Sequence, residues 1–227
     1  MGRVGVKPKG RVKIEWSANF AYAIGLLASD GCLYNDGRHM SVVSKDKEMI
    51  DNFQKALSIN YNVGKKAGSA STDKKYFNLQ IGDVLFYKFL MGIGLTPAKS
   101  KTIGEIKIPS KYFFDFLRGS FDGDGTFYSY WDPRWKSSFM FYTEFISASR
   151  KHIDWLRGEI KKRVKINGHI TSGGKDGVTY QLKYAKKESL EIIKKMYYNP
   201  KVIYLSRKRV KIVKALLIEK RQQKTYS

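Results

Sequence analysis

AIGLLASDG, residues 23–31, returns later in the chain as LRGSFDGDG, residues 117–125. Each copy follows aromatic-rich sequence with a helical look: Trp16, Phe20 and Tyr22 before the first, Phe113, Phe114 and Phe116 before the second. Each ends in Asp-Gly, and Asp30 and Asp124 stand 94 residues apart, room for one small α/β unit per copy. Gly25 and Ser29 are four residues apart, as are Gly119 and Gly123. That spacing clears one helix face and lets two backbones approach closely. The terminal glycines, Gly31 and Gly125, suit helix C-caps.

The sequence downstream repeats as well. After the first copy come a short strand, HMSVVS, and the helical stretch DKEMIDNFQKALS; after the second come TFYSYW, SSFMFYTEFIS and SRKHIDWLRGEIKKRV. A second strand pair follows in each half. Phe77, Leu79 and Ile81 alternate with Tyr76, Asn78 and Gln80, and Val178, Tyr180, Leu182 and Tyr184 alternate with Thr179, Gln181 and Lys183. Period two with one apolar face predicts half-buried strands. VLFYKFLMGIG and KKESLEIIKKMYY close the halves as helices. A last helix is predicted over 206–222, with Val210, Val213, Leu216 and Leu217 as its core stripe. Each half therefore reads helix, hairpin, helix, hairpin, helix. The domains are a basic N-terminal arm (1–12), a first half (13–108) and a second half (109–227), with a linker around 100–111 marked by Pro109.

Composition agrees with a nucleic-acid partner. The 227 residues are 42% hydrophobic, which suits a globular chain, and they carry 43 Lys and Arg against 20 acids, a formal net charge of +23. Charge splits about +8 before residue 110 and about +15 after it. Self-repulsion on that scale is relieved by a polyanion, and neutralised phosphates release counterions. No apolar run reaches the length of a membrane span, and no signal-type segment follows the basic start. The expectation is a soluble, intracellular chain that is not secreted. Cys32 is the only cysteine, so neither an internal disulfide nor a cysteine zinc site is available.

If the two small-residue faces pack together, both helix C-termini bring Asp30 and Asp124 side by side. Two carboxylates at the negative ends of two helices repel. A divalent cation resolves that conflict, and hard oxygen ligands suit Mg²⁺, which can activate water and stabilise a leaving oxygen at a phosphodiester. A single Asp-Gly after a helix is ordinarily a turn. Asp122-Gly-Asp124-Gly-Thr126 also starts like a calcium loop, but Phe127 stands where that loop needs glycine. It fits an aspartate-nucleophile phosphatase pattern too, which wants a strand before it and leaves Asp30 unexplained.

AIGLLASDG and LRGSFDGDG resemble two copies of the LAGLIDADG motif, and TPAKSKTIGEIKIP is similar to the segment between the repeats of two-motif LAGLIDADG homing endonucleases. The resemblance covers nearly the whole chain. It implies an α+β fold, a pseudo-twofold pair of αββαββα units, whose two antiparallel four-stranded sheets form a DNA-binding saddle. It implies an intron-encoded type of enzyme acting as a monomer, with metal-dependent double-strand cuts and short 3′ overhangs at a long asymmetric site. On this resemblance Asp30 and Asp124 bind metal, with the carbonyls of Ser29 and Gly123 as further ligands. Ala28 replaces the first motif aspartate, which Asp122 keeps in the second copy. Ser44 and Lys45 match a polar or basic pair at the end of the second strand; Ser147 and Ala148 are the weaker counterpart. Lys208, in YLSRK, and Lys99, in TPAKS, with Lys101 as a rival, would stabilise charge on the phosphate. Two sheets that each follow about one turn of major groove would cover roughly 20 base pairs of double-stranded DNA.

The candidate readers of base edges and phosphates in the first half are Tyr34, Asn35, Arg38, Ser41, Ser44, Lys74, Tyr76, Asn78 and Gln80. In the second half they are Tyr128, Tyr130, Arg134, Lys136, Ser138, Thr143, Ser147, Lys175, Thr179, Gln181 and Lys183. The other function open to the same sequence is a non-catalytic RNA-splicing maturase or DNA-binding regulator.

Overall fold

A computed structural model describes residues 10–67, 75–135, 138–174 and 179–225. The first half runs α1 (Ala18–Asp30), β1 (Gly31–Leu33), β2 (His39–Ser44), α2 (Lys47–Leu57), β3 (Val63–Lys66), β4 (Tyr76–Gly82) and α3 (Val84–Ile93). The second runs α4 (Phe113–Gly123), β5 (Thr126–Trp131), β6 (Phe139–Ser147), α5 (Arg150–Val164), β7 (His169–Gly173), β8 (Thr179–Ala185) and α6 (Lys186–Met196), followed by α7 (Ser206–Thr225). Each half carries one antiparallel sheet, ordered β1-β2-β4-β3 and β5-β6-β8-β7. The α+β class and the repeated unit expected from the sequence are both present. Among the described residues, no helix is long and apolar enough to cross a membrane.

Local chemistry sets the helix starts. Ser17 accepts from the Phe20 amide (3.1 Å), Asp46 from Glu48 (3.1 Å), Asp83 from Phe86 (2.9 Å) and Ser149 from His152 (3.4 Å), each satisfying a donor that the helix itself leaves open. The strand alternation is as read: Leu79, Ile81, Leu182 and Tyr184 are buried, while Gln80 is exposed and Asn78, Gln181 and Lys183 are half-buried on the opposite faces.

The most extensive helix contact joins α1 to α4. A Cβ on Gly25 would stand 2.1 Å from the Phe116 carbonyl oxygen, and one on Gly119 would stand 2.0 Å from that of Tyr22. Only glycine permits this crossing, so both helix-interface glycines lie where the sequence put them. Gly31 is the C-cap of α1, its amide donating to the Leu27 carbonyl, whereas Asp124 and not Gly125 holds that place on α4. Gly31 has φ −79°, and neither glycine is in the left-handed region. Each is needed because the chain folds back on its own helix: a Cβ would meet Leu27 or Phe121 at 2.6 Å.

The segment between the halves is pinned to both. Lys107 donates from its amide to the Ile93 carbonyl (2.9 Å), the Ser149 hydroxyl donates to the Ile103 carbonyl (2.5 Å), and Ile103 and Ile106 are buried. Residues 10–12 are no free arm either. The amides of Arg11 and Val12 donate to Asp83 (2.5 and 3.0 Å), and Val12 joins the core.

In α7 the expected core stripe is overturned. Val210, Val213 and Leu217 are exposed and Leu216 is only partly covered; Lys208, Ile212 and Ala215 face inward instead. The cause lies outside the helix. Arg118, fully buried, donates to the carbonyls of Met196 (2.7 Å) and Ile203 (2.8 Å) and to Asp115 (2.8 Å), and so fixes the approach to α7. The Leu205 amide donates to buried Asp122 (2.8 Å), which also accepts from the Tyr22 hydroxyl (2.8 Å). Lys208 then docks on α4, and that contact sets the rotation of α7.

Candidate functional site

The two motif helices end together. A Cβ built on Gly123 would stand 1.9 Å from the Ser29 hydroxyl oxygen and 2.4 Å from Asp30 Oδ2, so the Asp30 carboxylate lies against the α4 backbone one residue before Asp124. The paired arrangement that the motif spacing demands is therefore present.

Electrostatics there are unfavourable to both carboxylates. Burial and then repulsion from Asp124 push Asp30 up to about 6, against the opposing pull of Lys208, the nearby Ser29 hydroxyl and Lys99. Burial raises Asp124 too, with Lys99 and Lys208 opposing. Asp30 Oδ2 is buried and has no hydrogen-bond partner. An orphaned carboxylate oxygen of this kind is costly unless something cationic meets it.

Two lysines close the site from opposite halves of the chain. Lys99, in a 3-10 turn (Lys99–Lys101), donates to the carbonyls of Gly31 (2.6 Å) and Ser29 (3.5 Å). Lys208 donates to the carbonyls of Phe121 (2.5 Å), Gly123 (2.9 Å) and Gly125 (2.7 Å). Each ammonium caps the last carbonyls of a motif helix, where the helix dipole is negative. Both lysines are buried, and burial lowers Lys208 to about 8 and lowers Lys99. The rival, Lys101, is exposed.

Beside Asp30 opens a cleft of about 720 Å³, lined by Ser44, Lys45, Tyr76 and Arg207 among others. Lys45 is exposed there, its ammonium 5.2 Å from the centre of the Tyr76 ring. Ser44 accepts from the Asp46 amide (3.0 Å) and Ser147 from the Ser149 amide (3.1 Å), so both act as turn residues as well as site-lining groups. Arg207, which sequence reasoning passed over in favour of its neighbour Lys208, reaches this cleft and pairs with Asp46 (2.9 Å). Its signal was in YLSRK, where two cations are adjacent and only one can face inward.

The remaining sequence candidates separate by face. Tyr34, Asn35, Arg38, Gln80, Tyr128, Tyr130 and Arg134 are exposed; Tyr76, Asn78, Ser138, Thr179, Gln181 and Lys183 are half-buried. Arg134 is held by Asp132. Ser41 is on the outer face, yet it is buried beneath Tyr34, whose hydroxyl is 3.3 Å away. Thr143 is a correction: it points into the core, fully buried, and accepts from Ser189 (2.9 Å). Its partner Tyr184 and its neighbours Tyr142 and Glu144 fix that parity, since the outer face of β6 carries the even-numbered residues. Lys74, Lys136 and Lys175 lie outside the described residues. Sequence reasoning missed Glu144, which lies on the outer face between Tyr128 and Lys183.

Whether these residues suit a divalent cation can be judged from the donors alone. Among the described residues no group of three or more His, Cys, Asp or Glu side chains converges. A cation here would take two carboxylates and fill its shell from the Ser29 and Gly123 carbonyls and water, an all-oxygen set of the kind Mg²⁺ accepts. The unpartnered Asp30 oxygen and the upward shifts of both aspartates fit such an ion.

No family model matches the chain, and no curated protein matches it. Solved structures do. The homing endonuclease I-LtrWI bound to target DNA superposes with a TM-score of 0.57 at 11% identity, covering 91% of each chain. I-DmoI in complex with DNA and Mn gives 0.51 at 12% identity, over 80% of this chain and 97% of that one. Full-length DUF199/WhiA from Thermatoga maritima gives 0.51 at 15% identity, over 93% and 74%. The fold of this chain is the LAGLIDADG fold, shared by homing endonucleases and by WhiA.

Proposed function

We propose that the chain is a metal-dependent DNA endonuclease that makes double-strand cuts, leaving short 3′ overhangs, at a long asymmetric site of roughly 20 base pairs, the reach of two sheets each following about one turn of major groove. The observation that carries this reading is the pairing of Asp30 with Asp124, with a buried Asp30 oxygen left unpartnered where two helix tips meet. Asp30, Asp124 and the Ser29 and Gly123 carbonyls would hold Mg²⁺. Bound there, the ion would supply activation of water and stabilisation of the leaving oxygen. Lys99 and Lys208 hold positive charge beside the aspartates, and Arg207 and Lys45 line the adjoining cleft, where a phosphate would be attracted. The net charge of +23 and the polar outer sheet faces support duplex binding, as do fold neighbours solved with DNA. One chain contains both motif helices, so it would act as a monomer.

The second reading is a non-catalytic maturase or DNA-binding regulator. It is favoured by the lysine ammoniums, which already meet the Gly123 and Ser29 carbonyls and neutralise the helix ends without a metal. A plasmid library incubated with Mg²⁺ separates the two. The enzyme cuts at one long site, and Asp124→Asn abolishes cutting while retaining binding. Tight binding with no metal-dependent cutting of any DNA supports the second reading, and an Asp124→Asn variant that cuts normally removes the site.

A further inference from the structure

Glu144 is the one acidic residue in the eight described strands. It lies on the outer face of its sheet, the face a polyanion would approach, and it pairs across strands with Thr126, two residues after Asp124, and with Lys183. Its carboxylate is buried under two partners: the Tyr128 hydroxyl donates to Oε1 (2.9 Å) and the Lys183 ammonium is 3.2 Å away. A carboxylate there weakens any contact with phosphate, so a general role in backbone binding does not account for it.

The first half carries the same arrangement with different chemistry. Tyr34 and Tyr128 each follow their motif aspartate by four residues. Ser41 and Gln80 pair across β2 and β4 as Glu144 and Lys183 pair across β6 and β8. Tyr34 reaches Ser41 as Tyr128 reaches Glu144. At this position the two halves differ in chemistry: a hydroxyl and an amide in the first, an acceptor anion beside a cation in the second.

We propose that Glu144 and Lys183 together read one C·G base pair, and that this pair distinguishes the second half-site from the first. In the major groove a C·G pair offers the cytosine N4 amino donor beside the guanine O6 and N7 acceptors; a carboxylate takes the first and an ammonium the second. Tyr128 holds the carboxylate in place, and Lys183 cancels its charge until the bases engage it. Gln80, at the equivalent point of the first half, suits adenine instead. The inference rests on the reading of the chain as a duplex-DNA binder.

Binding selection from a random duplex library, with the full chain and no divalent metal, tests it. The unmodified protein should show one position with C·G favoured about 5- to 100-fold, the range of one good base-edge contact. Glu144→Gln should flatten that position, and the double variant Glu144→Ser with Lys183→Gln, which transplants the first-half set, should turn it to A·T and leave every other position as before. The unchanged positions report that the variants are folded. A profile the double variant leaves untouched overturns the proposal. So does a uniform loss of affinity in Lys183→Gln with a salt slope smaller by about one, the mark of a phosphate contact. An unmodified protein that retains no duplex at all overturns the DNA-binding reading itself, a result distinct from a failure at one base pair.

Discussion

Gly25 and Gly119 touch backbone to backbone: a Cβ on Gly119 would stand 3.1 Å from the Gly25 Cα, in addition to its clash with the Tyr22 carbonyl. Both neighbours are main chain of packed helices and cannot swing aside. Gly119→Ala should therefore cost about 3 kcal/mol or more, at or beyond the upper end for added core volume. Urea denaturation measures it. Gly123→Ala should cost less, because it meets the Ser29 and Asp30 side chains and displaces the carboxylate rather than the helix. A Gly119→Ala protein as stable as the parent would mean that the helices do not cross there.

Asp30 makes metal-free stability fall as pH rises. Its folded value of about 6 lies above the ordinary 3.8. Between those values the folded chain keeps a proton that the unfolded chain has lost, so stability declines through that window and the full penalty, on the order of 3 kcal/mol, is present above it. Asp30→Asn should stabilise the protein in EDTA at pH 8 by up to that amount and change little at pH 4. Denaturation midpoints at the two values decide it; a destabilised variant at pH 8 would show that burying the Asp30 charge, with Asp124 beside it, is not the dominant cost.

Cleavage should have two pH limits. On the acid side a proton, which the metal-free chain holds on Asp30 up to about 6, competes with the metal for that carboxylate. On the alkaline side Lys208 loses its proton above about 8 and with it the positive charge beside the phosphate. A rate profile measured across pH 5–10, on the order of five units of span, should be bell-shaped. Lys208→Met should remove the alkaline limb, lower the rate throughout, and destabilise the fold by about 2 kcal/mol, since three carbonyls of the α4 end lose a charged donor.

The two sides of α7 should respond in opposite ways to substitution. Ile212 is fully buried and Ile212→Ala should cost about 2–5 kcal/mol. Leu217 is exposed, and Leu217→Lys should shift stability by no more than about 0.5 kcal/mol. Thermal melts of the two variants compare them directly.

Much of the architecture was legible from residues alone. The order of helices and hairpins, the small residues at the crossing and the placing of Asp30 with Asp124 all depend on local periodicity and on one sequence repeated twice. Such signals survive without knowledge of the partner surface. Thr143 was less tractable, because its strand is apolar on both sides of it and only the register with β5 and β8 reveals which parity faces inward.

The sequence alone determined that two similar units meet through glycine-faced helices and carry an aspartate each to the meeting point, because close backbone approach admits glycine and little else. Tertiary structure decided which lysines close the site, which side of α7 is buried and what surrounds Glu144. In each of those cases several residues had suitable chemistry. The choice came from carbonyls, amides and side chains brought in from distant parts of the chain: Lys208 on the end of α4, Asp122 on the Leu205 amide, and Lys183 beside Glu144.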